Sequence, residues 1–165
     1  MKKKILIRIG SLRHGGAEKM VVSLLNQLSP EKYEVDLLIN IRFGKYLDFV
    51  PSWVNLIWLN KGEIIETNRW YEIPIKAYRV LYQAFYNRNL KLLYKTKLRN
   101  KQYDVEIAAI QGAAEWILNS PNQSSKKILW IHNDLSNFPE YTEEKIQRFF
   151  EFDRIMVISD KIQQW

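Results

Sequence analysis

The 165-residue sequence contains no cysteine, so disulfides and thiolate metal ligands are excluded. It also lacks any long apolar run. Met1-Lys2-Lys3-Lys4 is basic, as the start of a leader would be, but the apolar run behind it stops at Arg8. That is too short for a signal peptide, and no stretch approaches the roughly 18 apolar residues of a transmembrane helix. A cytoplasmic protein is the expectation. There is no internal repeat and no low-complexity linker, and only six glycines and five prolines are present. Hydrophobic content of 47% and a length near that of one domain describe a globular chain with a sizeable core.

Two nucleotide-binding motifs are begun and not completed. Lys4 to Leu28, KILIRIGSLRHGGAEKMVVSLLNQL, reads as a buried strand, a glycine turn and an amphipathic helix. Ile5, Leu6, Ile7 and Ile9 suit a strand covered on both faces. Ala17, Met20, Val21, Leu24, Leu25 and Leu28 then keep the i, i+3, i+4 spacing of a helical stripe. Gly10 and Gly15 match the first half of a P-loop, but Gly16-Ala17 stands where its Lys-Ser/Thr should follow, leaving no side chain for a β/γ-phosphate. The G-x-G-x-x-G spacing is missing, and no carboxylate ends the second strand, which runs out in Ile39-Asn40. What is left is a Gly-Gly-Ala-Glu helix start, whose free N–H groups favour an anion. Close packing of small residues, with Glu18 complementing the helix dipole, explains it equally well.

Beyond Pro30 the pattern alternates. Strands are expected at Tyr33–Ile39, Val54–Leu59, Asp104–Ile110, Lys127–Ile131 and Arg154–Ile158. Pro74 to Asn100 reads as one long helix or two shorter ones, with Ile75, Tyr78, Leu81, Tyr82 and Phe85 at helical spacing. A short helix through Trp116 and Leu118 follows, then one over Glu143–Phe152 with Ile146, Phe149 and Phe150 inward. Arg42–Ser52 is a connection, and Asn60–Tyr71 an exposed loop whose Glu63 and Glu66 are solvated. Ser159 caps a further helix. Alternation of this kind implies an α/β fold: a doubly wound, mainly parallel, Rossmann-like sheet. That last helix barely begins before Trp165, so a fragment of a longer protein is expected.

Acids are absent from Ile73 to Tyr103, where Lys76, Arg79, Arg88, Lys91, Lys95, Lys97, Arg99 and Lys101 lie. The net charge of +7 is therefore local, the rest of the chain holding 17 bases against 18 acids. A solvated helix face and a basic amphipathic surface for an anionic membrane are both open, since the cations alternate with Tyr, Phe and Leu. Nucleic-acid binding would use the same charge, but no module for it is visible, and nucleic acid is not an expected partner.

In open parallel sheets ligands bind beyond the carboxyl ends of the strands. The candidates there are His14, Gly15 and Gly16 in the first turn, Gln111-Gly112, His132, Asp134 and Ser159. His132 follows the apolar run Ile128–Ile131 directly. It either satisfies a backbone carbonyl at the sheet end or faces a substrate. Asp134 is a helix cap, a turn residue or a ligand contact.

Three pieces, GGAE, LWIHNDL and FDRIMVISDKI, occur in the order found in GT-B glycosyltransferases of family GT4, which this chain resembles over nearly its whole length. The resemblance implies a two-domain enzyme that transfers a sugar from a nucleotide-sugar donor, with retention and no obligatory metal or other cofactor. This chain would be its N-terminal, acceptor-side domain, with Gly15 and Gly16 near the donor diphosphate and His132 near the reacting sugar. The donor-binding C-terminal domain would be missing, so the chain by itself would be inactive. Glu143 and Glu151 share the spacing of the family's paired glutamates, but those belong to the second domain. A saccharide or lipid-linked acceptor, cell-surface polysaccharide synthesis and a peripheral site at the inner membrane face complete the expectation. The other reading is a non-catalytic Rossmann-like nucleotide-binding or regulatory module.

Overall fold

The computed structural model describes residues 1–62, 70–135 and 138–158. Six parallel strands form one sheet: β1 (Lys3–Ile9), β2 (Tyr33–Arg42), β3 (Asn55–Lys61), β4 (Val105–Ala108), β5 (Lys126–Ile131) and β6 (Arg154–Val157). Their spatial order is β3-β2-β1-β4-β5-β6. The order reverses at β1, which pairs with β2 on one side and β4 on the other. A crevice therefore opens above the carboxyl ends of β1 and β4.

Alternation along each strand fills two cores. Ile5, Ile7 and Ile9 join Leu37 and Ile39 beneath α1 (Gly16–Gln27). Leu6 points to the opposite face, with Leu38, Leu93, Trp116, Leu129 and Phe149. That face is covered by α3 (Leu90–Thr96), α4 (Ala114–Leu118) and α5 (Glu143–Phe149). The helix α2 (Ile73–Arg88) leads into α3, the two separated at Asn89. Pro74 sits in the first turn of α2, where its missing N–H has no helical partner to lose.

Several expectations need correction. The helical spacing of Ile75, Tyr78, Leu81, Tyr82 and Phe85 holds, but of these five only Tyr82 faces the core, Leu81 being 69% exposed. Only Tyr82 and Tyr86 pack α2 onto the core. Along α1, Met20 is exposed and Val22 is buried in its place. The helix expected over Glu143–Phe152 ends at Phe149, and Phe150, its C-cap, is exposed where an inward ring was expected. β4 stops two residues early, as Gln111–Ala113 form a 3₁₀ turn. Lys45–Phe49 form another 3₁₀ turn inside the expected connection. Its entry, Gly44, has φ +134, and a Cβ there would overlap the Leu12 carbonyl, so this position needs glycine. The expectations for Glu63, Glu66 and Ser159 fall outside the described residues.

The amino-terminal half of the sheet is held by buried charge. Glu106 in β4 is fully buried and faces Lys127 in β5, with Lys127 Nζ 2.9 Å from its Oε2. Ser125 donates to Oε2 at 2.6 Å, and Ser120 and Tyr94 donate to Oε1. Asp36 in β2 is similarly surrounded by Tyr103, Asn55 and Lys101. Asp153, the aspartate before β6, takes the Lys127 N–H and the Lys126 ammonium, both at 2.8 Å, which holds its carboxyl below the usual range.

Candidate functional site

At the carboxyl edge, the first turn of α1, the turn after β4 and the end of β5 converge on a cleft of about 420 Å³. Gly15, Gly16, Gln111, Gly112 and His132 all line it, so five of the sequence candidates come together. They converge because each directly follows a parallel strand or opens the helix behind one. His14 does not join them; it lines a separate depression with Arg13, Arg42 and Gly44. Asp134 lies outside the cleft wall.

His132 Nε2 is 3.0 Å from the Ala109 carbonyl oxygen. A carbonyl only accepts, so Nε2 carries the hydrogen and a neutral ring keeps its lone pair on Nδ1. Partial burial lowers the His132 pKa below the usual histidine value, while the Ala109 bond and the nearby Glu18 carboxylate act the other way. The histidine thus satisfies a carbonyl at the sheet end and also lines the cleft. Gln111 is buried, and its Oε1 has no hydrogen-bond partner among the described residues. A buried amide oxygen without a partner is an unsatisfied acceptor.

Two contributors were not legible as site residues. The Glu18 carboxylate folds back over Gly15, where a Cβ would collide with it. It therefore occupies the anion-favouring start of α1, and an incoming phosphate must displace it. Tyr141 lines the same cleft with its hydroxyl near Gly112, and burial raises its pKa, keeping the phenol a donor. A tyrosine in a loop before α5 carries no periodic signal that would place it there.

The basic segment divides in two. Lys76, Arg88, Lys91, Lys95 and Arg99 are exposed. Lys101 instead pairs with Glu34 and Asp36, each at 2.9 Å, and so belongs to the buried-charge network. Lys97 lies over the rings of Tyr82 and Tyr86 at 5.7 and 5.8 Å. The Arg79 carbonyl accepts from Asn60 at 3.3 Å, and its guanidinium packs by Gly62. Among the described residues no helix is long and apolar enough to cross a membrane, and no group of three His, Asp or Glu could hold a metal ion.

No family model and no curated protein matches the sequence. Solved structures do match. Apo UGT2 of Phytolacca americana aligns over 86% of this chain and 34% of its own, with TM-score 0.50 and 14% identity. The same enzyme complexed with UDP-2-fluoro-glucose and pterostilbene gives 86%, 34%, 0.47 and 14%. A UDP-glucosyltransferase from Polygonum tinctorium, capable of glucosylating indoxyl, gives 87%, 34%, 0.47 and 9%. This chain thus spans about a third of the chains it matches. The likeness to apo UGT2 bears on the fold alone: a Rossmann-like domain of the kind that makes half of a GT-B architecture.

Proposed function

We propose that this chain is the acceptor-side domain of a GT4-type glycosyltransferase. The whole enzyme transfers a hexosyl group, with retention, from a nucleotide sugar to a saccharide or lipid-linked acceptor in cell-surface polysaccharide synthesis. The observation that carries the reading is the cleft at the strand-order reversal, where the α1 start, Gln111 and His132 meet. Gln111 Oε1 accepts from an acceptor hydroxyl, and His132 sits beside the reacting sugar, its ring fixed by Ala109. The donor is held by a second domain, and its diphosphate approaches Gly15-Gly16 as Glu18 swings away. His14 touches the acceptor from the neighbouring depression. The enzyme works as a peripheral protein at the cytoplasmic membrane face. Support for this comes from α2, which exposes Tyr78, Leu81 and Phe85 together with Lys76 and Arg88, and from α3, which exposes Lys91 and Lys95.

Holding donor and acceptor in reacting geometry supplies about 7–11 kcal/mol of barrier lowering. One cleft wall cannot fix both partners. An exposed helix N-terminus contributes only about 0.3–1 kcal/mol, against an association cost of at least about 4 kcal/mol. Calorimetric titration of this chain with a panel of nucleotide sugars should therefore show no binding tighter than millimolar. The full-length protein should release nucleotide diphosphate when an acceptor is added. A micromolar donor site on this chain alone would overturn the domain assignment.

A further inference from the structure

A charged side chain interrupts the most deeply buried strand. Arg8 lies in β1 between Ile7 and Ile9, on the face it shares with Leu6, and is only 4% exposed. A buried cation normally has a carboxylate partner. Among the described residues no carboxylate forms an ion pair with Arg8. Its Nη2 donates to the side-chain oxygens of Asn40 and, at 3.1 Å, Asn87. Its carbon lies 5.0 Å from the centre of the Trp116 ring. Nη1 is buried with no hydrogen-bond partner among the described residues. Burial lowers the guanidinium to about 10, which leaves it charged at neutral pH with no paired carboxylate among the described residues.

Arg8 forms part of the wall of a second cavity of about 420 Å³, at the carboxyl ends of β1 and β2. Arg88 and Asn119 add a second cation and a further amide to that wall. Glu115 is its one carboxylate among the described residues, and it is engaged by Arg148. Ile110 and Gly112 line both this cavity and the His132 cleft, so the two sites adjoin.

We infer that the Arg8 cavity binds an oxyanion, a carboxylate or phosphate that takes the free Nη1 hydrogens. A guanidinium offers charge-assisted bonds suited to either group, and Trp116 against its face holds the plane in place. If the proposed function holds, the anion is a group on the acceptor, anchored one sugar ring or so from the reacting hydroxyl. The enzyme would then be selective for acidic or phosphorylated acceptors. The site's existence does not depend on that function, because binding is read without turnover.

The test is titration of the full-length protein with inorganic phosphate, glucuronate and, as the neutral control, glucose, read by calorimetry and by the Trp116 indole resonance. Phosphate or glucuronate should bind at least about tenfold more tightly than glucose. Arg8→Met should abolish that preference, and Arg8→Lys should restore part of it. Binding of phosphate alone points to a phosphorylated acceptor, and of glucuronate alone to a uronate. If Arg8→Met does not fold, Arg88→Gln, an exposed position, should still weaken the anions several-fold and leave glucose unchanged. Equal affinity for glucose and both anions, no binding of either anion, or anion binding that survives Arg8→Met, would overturn the inference. In those cases Arg8 is only a clamp joining Asn40 of β2 to Asn87 of α2. Anion binding without any transferase activity would leave this inference standing and defeat the proposed function.

Discussion

Replacing Lys127 with methionine tests how the buried charge at the base of the sheet contributes to stability. Lys127 and Glu106 are register partners on β5 and β4, with side chains 11% and 0% exposed. Methionine keeps the length and apolar stem of lysine but strands the Glu106 carboxylate. Removing one partner of a buried pair costs about 3–5 kcal/mol. Here Ser125, Ser120 and Tyr94 still donate to the carboxylate, so the lower end, about 3 kcal/mol, is expected. For a domain of this size that is a Tm drop of roughly 6–12 °C. Urea unfolding at pH 7 measures it, as a lower midpoint with unchanged slope. Adding Glu106→Gln removes the stranded charge and should recover a substantial part of the loss. The cleft lies at the opposite end of the strands, so ligand binding by the folded fraction should not change. A cost under about 1 kcal/mol, the value for an exposed pair, would refute the reasoning, as would a double variant no more stable than Lys127→Met.

Gly44→Ala should destabilise by at least about 1–3 kcal/mol, seen as a lower Tm, because φ +134 and the Leu12 carbonyl both exclude a Cβ. Burial, reinforced by Glu106 and Asp36 respectively, raises the Tyr94 and Tyr103 phenols above the usual range. The folded state keeps both protonated while the unfolded chain releases them near pH 10. Their stabilisation is therefore fully present below about pH 10 and is lost as pH rises further, so urea midpoints should fall between pH 10 and 11. Vesicles of anionic lipid should bind the protein and release it in raised salt, and Lys76, Lys91 and Lys95→Gln together should weaken that binding strongly. Equal binding to neutral vesicles would defeat the membrane reading.

The sheet was legible because its strands are apolar runs bounded by glycine, proline and polar residues, and all six lie within a few residues of expectation. The same logic located α2 and α3 within Pro74–Asn100 but left open which face of α2 is buried. Ile75, Tyr78, Leu81 and Phe85 have the spacing of a core stripe, but periodicity shows only that one face differs from the other, never which face is inside. Tyr82 and Tyr86 decide that, through contacts made by tertiary packing. The cleft was half legible: Gly15, Gly16, Gln111, Gly112 and His132 follow from strand ends, which topology brings together. Tyr141 and the folded-back Glu18 depend on side-chain placement. Arg8 was visible only as the residue that ends an apolar run, although a lone cation between two buried isoleucines was itself the signal.

The central claim is that the His132 cleft is where a sugar is transferred, and His132→Ala in the full-length enzyme tests it most directly. Loss of the Ala109 bond costs about 0.5–1.5 kcal/mol, a Tm change of a few degrees. The account predicts that kcat per folded molecule nevertheless falls by about a hundredfold or more. An unchanged kcat per folded molecule, with only the Tm reduced, would contradict it and leave His132 as a histidine that satisfies a carbonyl.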